Sequence, residues 1–154
     1  MKLVTAEQMR GLDNAAINTF KIPSLELMEN AGRRTVEIML DKYGEPQGKK
    51  VAIFVGPGNN GGDGLVIARL LAARMASPIV FLCLPAEKLK GDAAVNYSRV
   101  HEFPVEIIEV SDAAGLQEIP AVLAEWWAVV DAIFGSGVTR VVTGIFASAI
   151  HLIN

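Results

Sequence analysis

The chain has 154 residues, 51% of them hydrophobic and 20% charged, with a formal net charge of −3. That length fits one domain, expected to span 1–154, with a core of its own, and the balance excludes a disordered tail and a polycation that binds nucleic acid by bulk charge. Cys83 is the only cysteine, so no internal disulfide or cysteine metal cluster can form, and it sits in the apolar run Ile79 to Leu84 as a buried strand thiol.

Met1 to Glu7 contains no apolar signal segment, and no later stretch approaches the ~18 apolar residues of a membrane span. A soluble, cytoplasmic protein is expected. The mean hydropathy of +0.35 suits a sheet covered on both faces, whose strands are apolar throughout.

Thr5-Ala6-Glu7-Gln8 has the form of a capping box and predicts a first helix ending near Phe20. Pro23-Ser24 starts a second, in which Leu25, Met28, Gly32, Thr35 and Met39 trace one face, and Gly44 terminates it. From Val51 the pattern changes to short apolar runs, Val51 to Val55, Ile79 to Leu84, Val105 to Val110 and Ala128 to Phe134. The segments between them predict helices over Gly64 to Ala76, Gly91 to His101 and Asp112 to Glu125, with a last helix from Gly144 to Asn154. Alternation of this kind predicts an α/β fold: a three-layer Rossmann-like sandwich, a mostly parallel sheet with helices on both faces, preceded by two N-terminal helices. Ligands of such sheets bind at the carboxyl ends of the strands where strand order reverses, which directs attention to Gly56 to Asp63 and to the segment after Val130.

Gly56-Pro57-Gly58-Asn59-Asn60-Gly61 follows a strand and opens a helix, the context a G-x-G-x-x-G motif requires. Its glycines permit positive φ angles and close approach of backbone N–H groups to a ligand. A Walker A loop would need Lys-Ser or Lys-Thr where Gly62-Asp63 stands, and a standard dinucleotide fold would end its second strand on an acid where Leu82-Cys83-Leu84-Pro85 is uncharged. Both familiar readings fail. What remains is Asn59, Asn60, Gly61, Gly62 and Asp63, two amides and a carboxylate among glycines, able to hydrogen-bond a ligand and to supply oxygens to a cation. Asp63 could equally cap the helix, with the asparagines in turn positions.

Asp131 is the one charge in the strand from Trp127 to Phe134, and a buried lone carboxylate requires a partner, a proton or a cation. If this strand lies beside Val51 to Val55, Asp131 approaches Asn60 and the two could hold a monovalent cation; a strand-end aspartate bonded to loop amides is the alternative. Gly135, Ser136, Gly137, Val138, Thr139, Arg140 and Val141 then form a second small-residue loop suited to phosphate, although Arg140 could be a solvated surface residue. His101 and His151 read as surface or packing residues.

Taken in order, Leu27-Met28-Glu29-Asn30-Ala31-Gly32, the glycine loop from 56 to 64, Lys90-Gly91-Asp92-Ala93, and Asp131-Ala132-Ile133-Phe134-Gly135 with Arg140 and Gly144 resemble the YjeF N-terminal domain, the NAD(P)HX epimerase family. The resemblance covers essentially the whole chain. It implies an isomerase that binds hydrated NADH or NADPH (NADHX, NADPHX) and interconverts its R and S epimers in metabolite repair. Asn59 to Asp63 and Gly135 to Val141 would contact substrate, and Asn60 and Asp131 would ligate a potassium ion. It also implies homodimers and a companion NAD(P)HX dehydratase domain or protein. Members of the family continue into a strand carrying Asp-x-Pro-Ser-Gly, with a probable catalytic aspartate, whereas this chain stops at Asn154; an incomplete domain with an exposed strand edge is therefore expected. A non-catalytic nucleotide-binding or protein-interaction scaffold of the same fold is the alternative.

Overall fold

A computed structural model describes residues 4–110, 112–117, 119, 126–139 and 141–154. The chain opens with α1 (Ala6–Asn18) and α2 (Ser24–Tyr43) and then alternates: β1 (Lys50–Val55), α3 (Asn59–Ala72), β2 (Ser77–Leu82), a short 3-10 turn (Ala86–Lys88), α4 (Gly91–Val100), β3 (Glu106–Glu109), α5 (Ala113–Gln117), β4 (Ala128–Ala132) and α6 (Gly144–Ile153). None of these helices is long and apolar enough to cross a membrane.

Local signals account for the boundaries. The Thr5 hydroxyl accepts the Gln8 N–H at 3.2 Å while the Gln8 side chain accepts the Thr5 N–H at 2.8 Å, the reciprocal capping box that starts α1. Gly44, at φ +79°, ends α2 and donates its N–H to Leu40 at 2.8 Å. The buried face of α2 is Met28, Gly32, Val36 and Met39. Thr35, expected on that face, is exposed and bonds back to the Ala31 carbonyl, and Val36 takes the inward position.

The four strands are all parallel, in the order β3-β2-β1-β4. Alternate residues of β1 feed two cores. Val51, Ile53 and Val55 pack with Val36 and Met39 of α2 and Leu65, Ala68 and Leu71 of α3, while Ala52 and Phe54 pack with Phe81, Leu116, Ile133 and Ala149 on the side of α5 and α6. Helices therefore cover both faces, as expected. Cys83 is buried, and burial pushes its thiol up to about 12, with Asp131 adding to the effect.

Several expected boundaries shift: β2 covers Ser77–Leu82 rather than Ile79 to Leu84, so Cys83 follows the strand instead of lying in it, and β3 covers Glu106–Glu109 rather than Val105 to Val110. α3 begins at Asn59 rather than Gly64, β4 ends at Ala132 rather than Phe134, and α5 covers Ala113–Gln117 of the longer helix expected, whose positions 118 and 120–125 lie outside the described residues.

Candidate functional site

Strand order reverses between β1 and β4: the chain leaves β1 through α3 toward β2 on one side, while β4 lies on the other. Val55 pairs with Ala132, so the segments that follow run side by side, tied by the Gly56 N–H donating to the Ala132 carbonyl at 3.1 Å. That is the crevice where doubly wound sheets hold ligands.

The glycines of the first segment serve packing rather than turn geometry. The positive-φ glycines among the described residues are Gly44, Gly48, Gly91 and Gly144, none of them between 56 and 64. A Cβ on Gly56 would overlap the Ile133 backbone, one on Gly61 the Gly56 carbonyl, one on Gly62 the Met28 sulfur at 2.6 Å, and one on Gly64 the Ala132 methyl at 2.5 Å. Each glycine lets α3 sit directly against β1, β4 or α2. Gly58 differs, with nothing within 4 Å of its would-be Cβ.

Because α3 starts at Asn59 with Gly58 as its cap, Asn59, Asn60, Gly61, Gly62 and Asp63 form the opening turn of the helix. Asp63 caps nothing. The Gly62 N–H already bonds Gly58, while helix geometry leaves the N–H groups of Asn59, Asn60 and Gly61 without intrahelical acceptors. These donors and the positive end of the helix border a cavity of about 510 Å³, walled by Pro57 to Asn60 and Asp63, by Ile133 to Gly137, and by Arg10 and Asp13 of α1. The second predicted loop is divided: Gly135, Ser136 and Gly137 line this cavity, while Val138, Thr139 and Val141 line an adjoining cleft of about 420 Å³ with Phe134 and Phe146. Arg140 lies outside the described residues.

A smaller cavity of about 190 Å³ brings Asn60 and Asp131 together, with Thr35, Asp63 and Ala132 among its walls. Asp131 is not the buried carboxylate expected. It is exposed, because β4 is an edge strand, and its side chain accepts the Ile133 N–H at 3.0 Å. Asp63 is half-buried, and desolvation, reinforced by the charge of Asp13, raises its carboxyl from an ordinary 3.8 to about 6.

Sequence reading missed Arg10 and Asp13. Their spacing places them on one side of α1, but a charged pair of that kind is indistinguishable in sequence from a solvated helix face. A wider cleft, about 570 Å³, lies away from the strand ends between α2, α3 and α4. It contains the ion pair of Arg69 with Glu29, with Phe103 against the guanidinium at 5.6 Å, and Glu26, Arg99 and Glu102 are its other charged walls. His101 and His151 are exposed and line none of these cavities.

Residues 24–154 match the family described as YjeF-related protein N-terminus. The chain belongs to that family. Over its whole length this YjeF-type chain is 41% identical to the bifunctional NAD(P)H-hydrate repair enzyme Nnr of Moorella thermoacetica, of which it spans 29%. It is 37% identical to the NAD(P)H-hydrate epimerase of Pirellula staleyi, with 99% of this chain aligned to 66% of that protein. The crystal structure of yeast ynu0 superposes with a TM-score of 0.81 at 25% identity, covering 99% of this chain and 64% of the yeast chain. The YjeF-type domain thus spans less than a third of the bifunctional relative and about two thirds of the epimerase.

The match begins at Ser24, the first residue of α2, and leaves α1 outside it. Within the matched YjeF-type region the glycine-rich opening of α3 and the segment that follows β4 line the crevice, and α1 adds Arg10 and Asp13 to its walls.

Proposed function

We propose that the crevice between β1 and β4 binds hydrated NADH or NADPH and that the protein interconverts the R and S epimers of this substrate. The observation that carries the reading is the single cavity faced both by the open first turn of α3, Asn59 to Asp63, and by Gly135 to Gly137. Relatives named NAD(P)H-hydrate epimerase, at 36–37% identity in Limosilactobacillus fermentum and Pirellula staleyi, supply the substrate class.

Epimerisation requires a bond at the hydrated carbon to break and to re-form on the other face, with a proton given to the departing atom and later withdrawn. Asp63 suits this work: a carboxyl raised to about 6 carries both forms in useful amounts near neutrality. Free N–H groups at the start of α3 would hold the phosphates, and Val138, Thr139, Val141 and Phe134 offer the apolar surface that a flat ring needs. Arg140 remains part of the proposed substrate loop.

A potassium ion is part of the proposal. Asn60 and Asp131 line one small cavity, and an amide oxygen and a carboxylate are donors that suit a hard cation. When bound, potassium would neutralise Asp131 and fix the orientation of Asn60. The bifunctional relatives support a companion repair domain, for which a dehydratase is the proposed activity, and exposed Met9, Leu12 and Phe20 on and beside α1 support association of two copies.

The deciding experiment separates the epimers by chromatography after incubation with the protein, with and without potassium. The proposal expects approach to the R/S equilibrium far faster than in buffer; an unchanged rate with potassium present would remove it.

A further inference from the structure

We infer that α1 recognises the ligand directly, Arg10 binding a phosphate of the dinucleotide in the crevice and Asp13 accepting a hydrogen bond from one of its ribose hydroxyls. The inference rests on the reading that the crevice holds a dinucleotide. Four observations lead to it.

First, α1 buries none of its residues, so a contribution to the core does not explain its place over the crevice. Second, Arg10 and Asp13 stand on one side of that helix and both line the 510 Å³ cavity. Among the described lining residues Arg10 is the only cation, and a pyrophosphate seated on the N–H groups of α3 would otherwise meet no compensating charge. Third, the ion pairs among the described residues are Arg34 with Glu37 and Arg69 with Glu29, so neither Arg10 nor Asp13 is paired with a described residue.

Fourth, the acid that a dinucleotide site ordinarily presents to a ribose at the end of its second strand is absent, since Leu82 and Cys83 there are apolar and buried. Asp13 supplies a carboxylate to the same ligand from a different element. Asp13 also forms, with Asn59 and Asp63, the partition between this cavity and a smaller one of about 170 Å³ beneath it, where Asp92 of α4 adds another carboxylate. The charge of Asp13 adds to the desolvation that raises the Asp63 carboxyl, and hydroxyl donors placed between the two would relieve that repulsion.

The test is calorimetric binding of two probes to the full chain: ADP-ribose, which carries a pyrophosphate and ribose hydroxyls, and inorganic pyrophosphate, which carries only the former. Arg10→Gln should weaken both by about tenfold, the loss of one charge-assisted hydrogen bond, and Arg10→Lys should recover part of it. Asp13→Asn should weaken ADP-ribose several-fold while leaving pyrophosphate as tight or tighter, because a repelling charge is gone. Both side chains are exposed, so thermal melts of the variants should overlay the parent. Parent-like binding of both probes by Arg10→Gln and Asp13→Asn would overturn the inference and leave the dinucleotide reading standing. A parent chain that binds neither probe would overturn both.

Discussion

Replacing Gly64 by alanine separates the two reasons a glycine can occupy a helix start. On propensity alone the change stabilises a helix interior by ~1 kcal/mol. In this fold the added Cβ falls 2.5 Å from the Ala132 methyl, 3.3 Å from Val55 Cγ2 and 3.4 Å from Ile53 Cγ2. Carbon atoms pack at ~3.5–4.0 Å, so α3 would have to lift from the sheet by roughly 1 Å. Ile53 and Val55 are fully buried and have nowhere to move. Overpacking of this kind costs ~1–3 kcal/mol, which leaves a net destabilisation of up to about 2 kcal/mol after the propensity gain. Urea unfolding should show a lower midpoint with an unchanged slope. Ala132→Gly in the same chain removes the closest atom, and the double variant should recover most of the loss as a coupling energy of about 1 kcal/mol or more. A Gly64→Ala chain more stable than the parent, or a coupling energy of zero, would refute the packing argument.

Gly58→Ser, at the one glycine between positions 56 and 64 with open space around its Cβ, should leave stability within about 0.5 kcal/mol, since serine caps helices as well as glycine does, yet reduce ADP-ribose affinity measured by calorimetry. The Asp63 carboxyl is raised in the folded chain, so the fold holds its proton more tightly than the unfolded chain does. The associated stability is present below about pH 4 and is lost as pH rises through about 6. Asp63→Asn should therefore flatten that part of the Tm-against-pH curve and raise Tm at pH 7–8 while abolishing epimerisation. Cys83, buried and pushed up to about 12, should resist a chromogenic disulfide reagent at pH 8 until urea unfolds the chain. Asp131→Asn should remove any dependence of epimerisation on potassium, read from rates at matched ionic strength in potassium and in tetramethylammonium chloride.

Sequence periodicity revealed the layers because it reports burial, and in a doubly wound sheet burial and element type coincide. The runs from Val51 and Ile79 are apolar throughout because β1 and β2 are covered on both faces. The same logic misplaced Asp131: an apolar run implied a buried strand, but β4 is an edge strand and Asp131 is exposed. Glycine misled in another way. Gly61 and Gly62 read as a loop because glycine weakens helices, whereas here they are helical because larger residues would not fit against Gly56 and Met28. That distinction depends on contacts between distant segments, which no local pattern carries. Arg10 and Asp13 were illegible for the same reason, since only the packing of α1 over the strand ends turns a charged helix face into a cavity wall.

The central claim is that one crevice both binds the hydrated dinucleotide and converts its epimers. Real-time NMR of the isotopically labelled chain mixed with the pure R epimer of hydrated NADH reads both at once. The account predicts growth of the S epimer well above the rate in buffer, with amide shifts concentrated at Gly58 to Asp63 and Gly135 to Gly137. Conversion no faster than in buffer, or shifts gathered instead around Arg69 and Arg99, would contradict it.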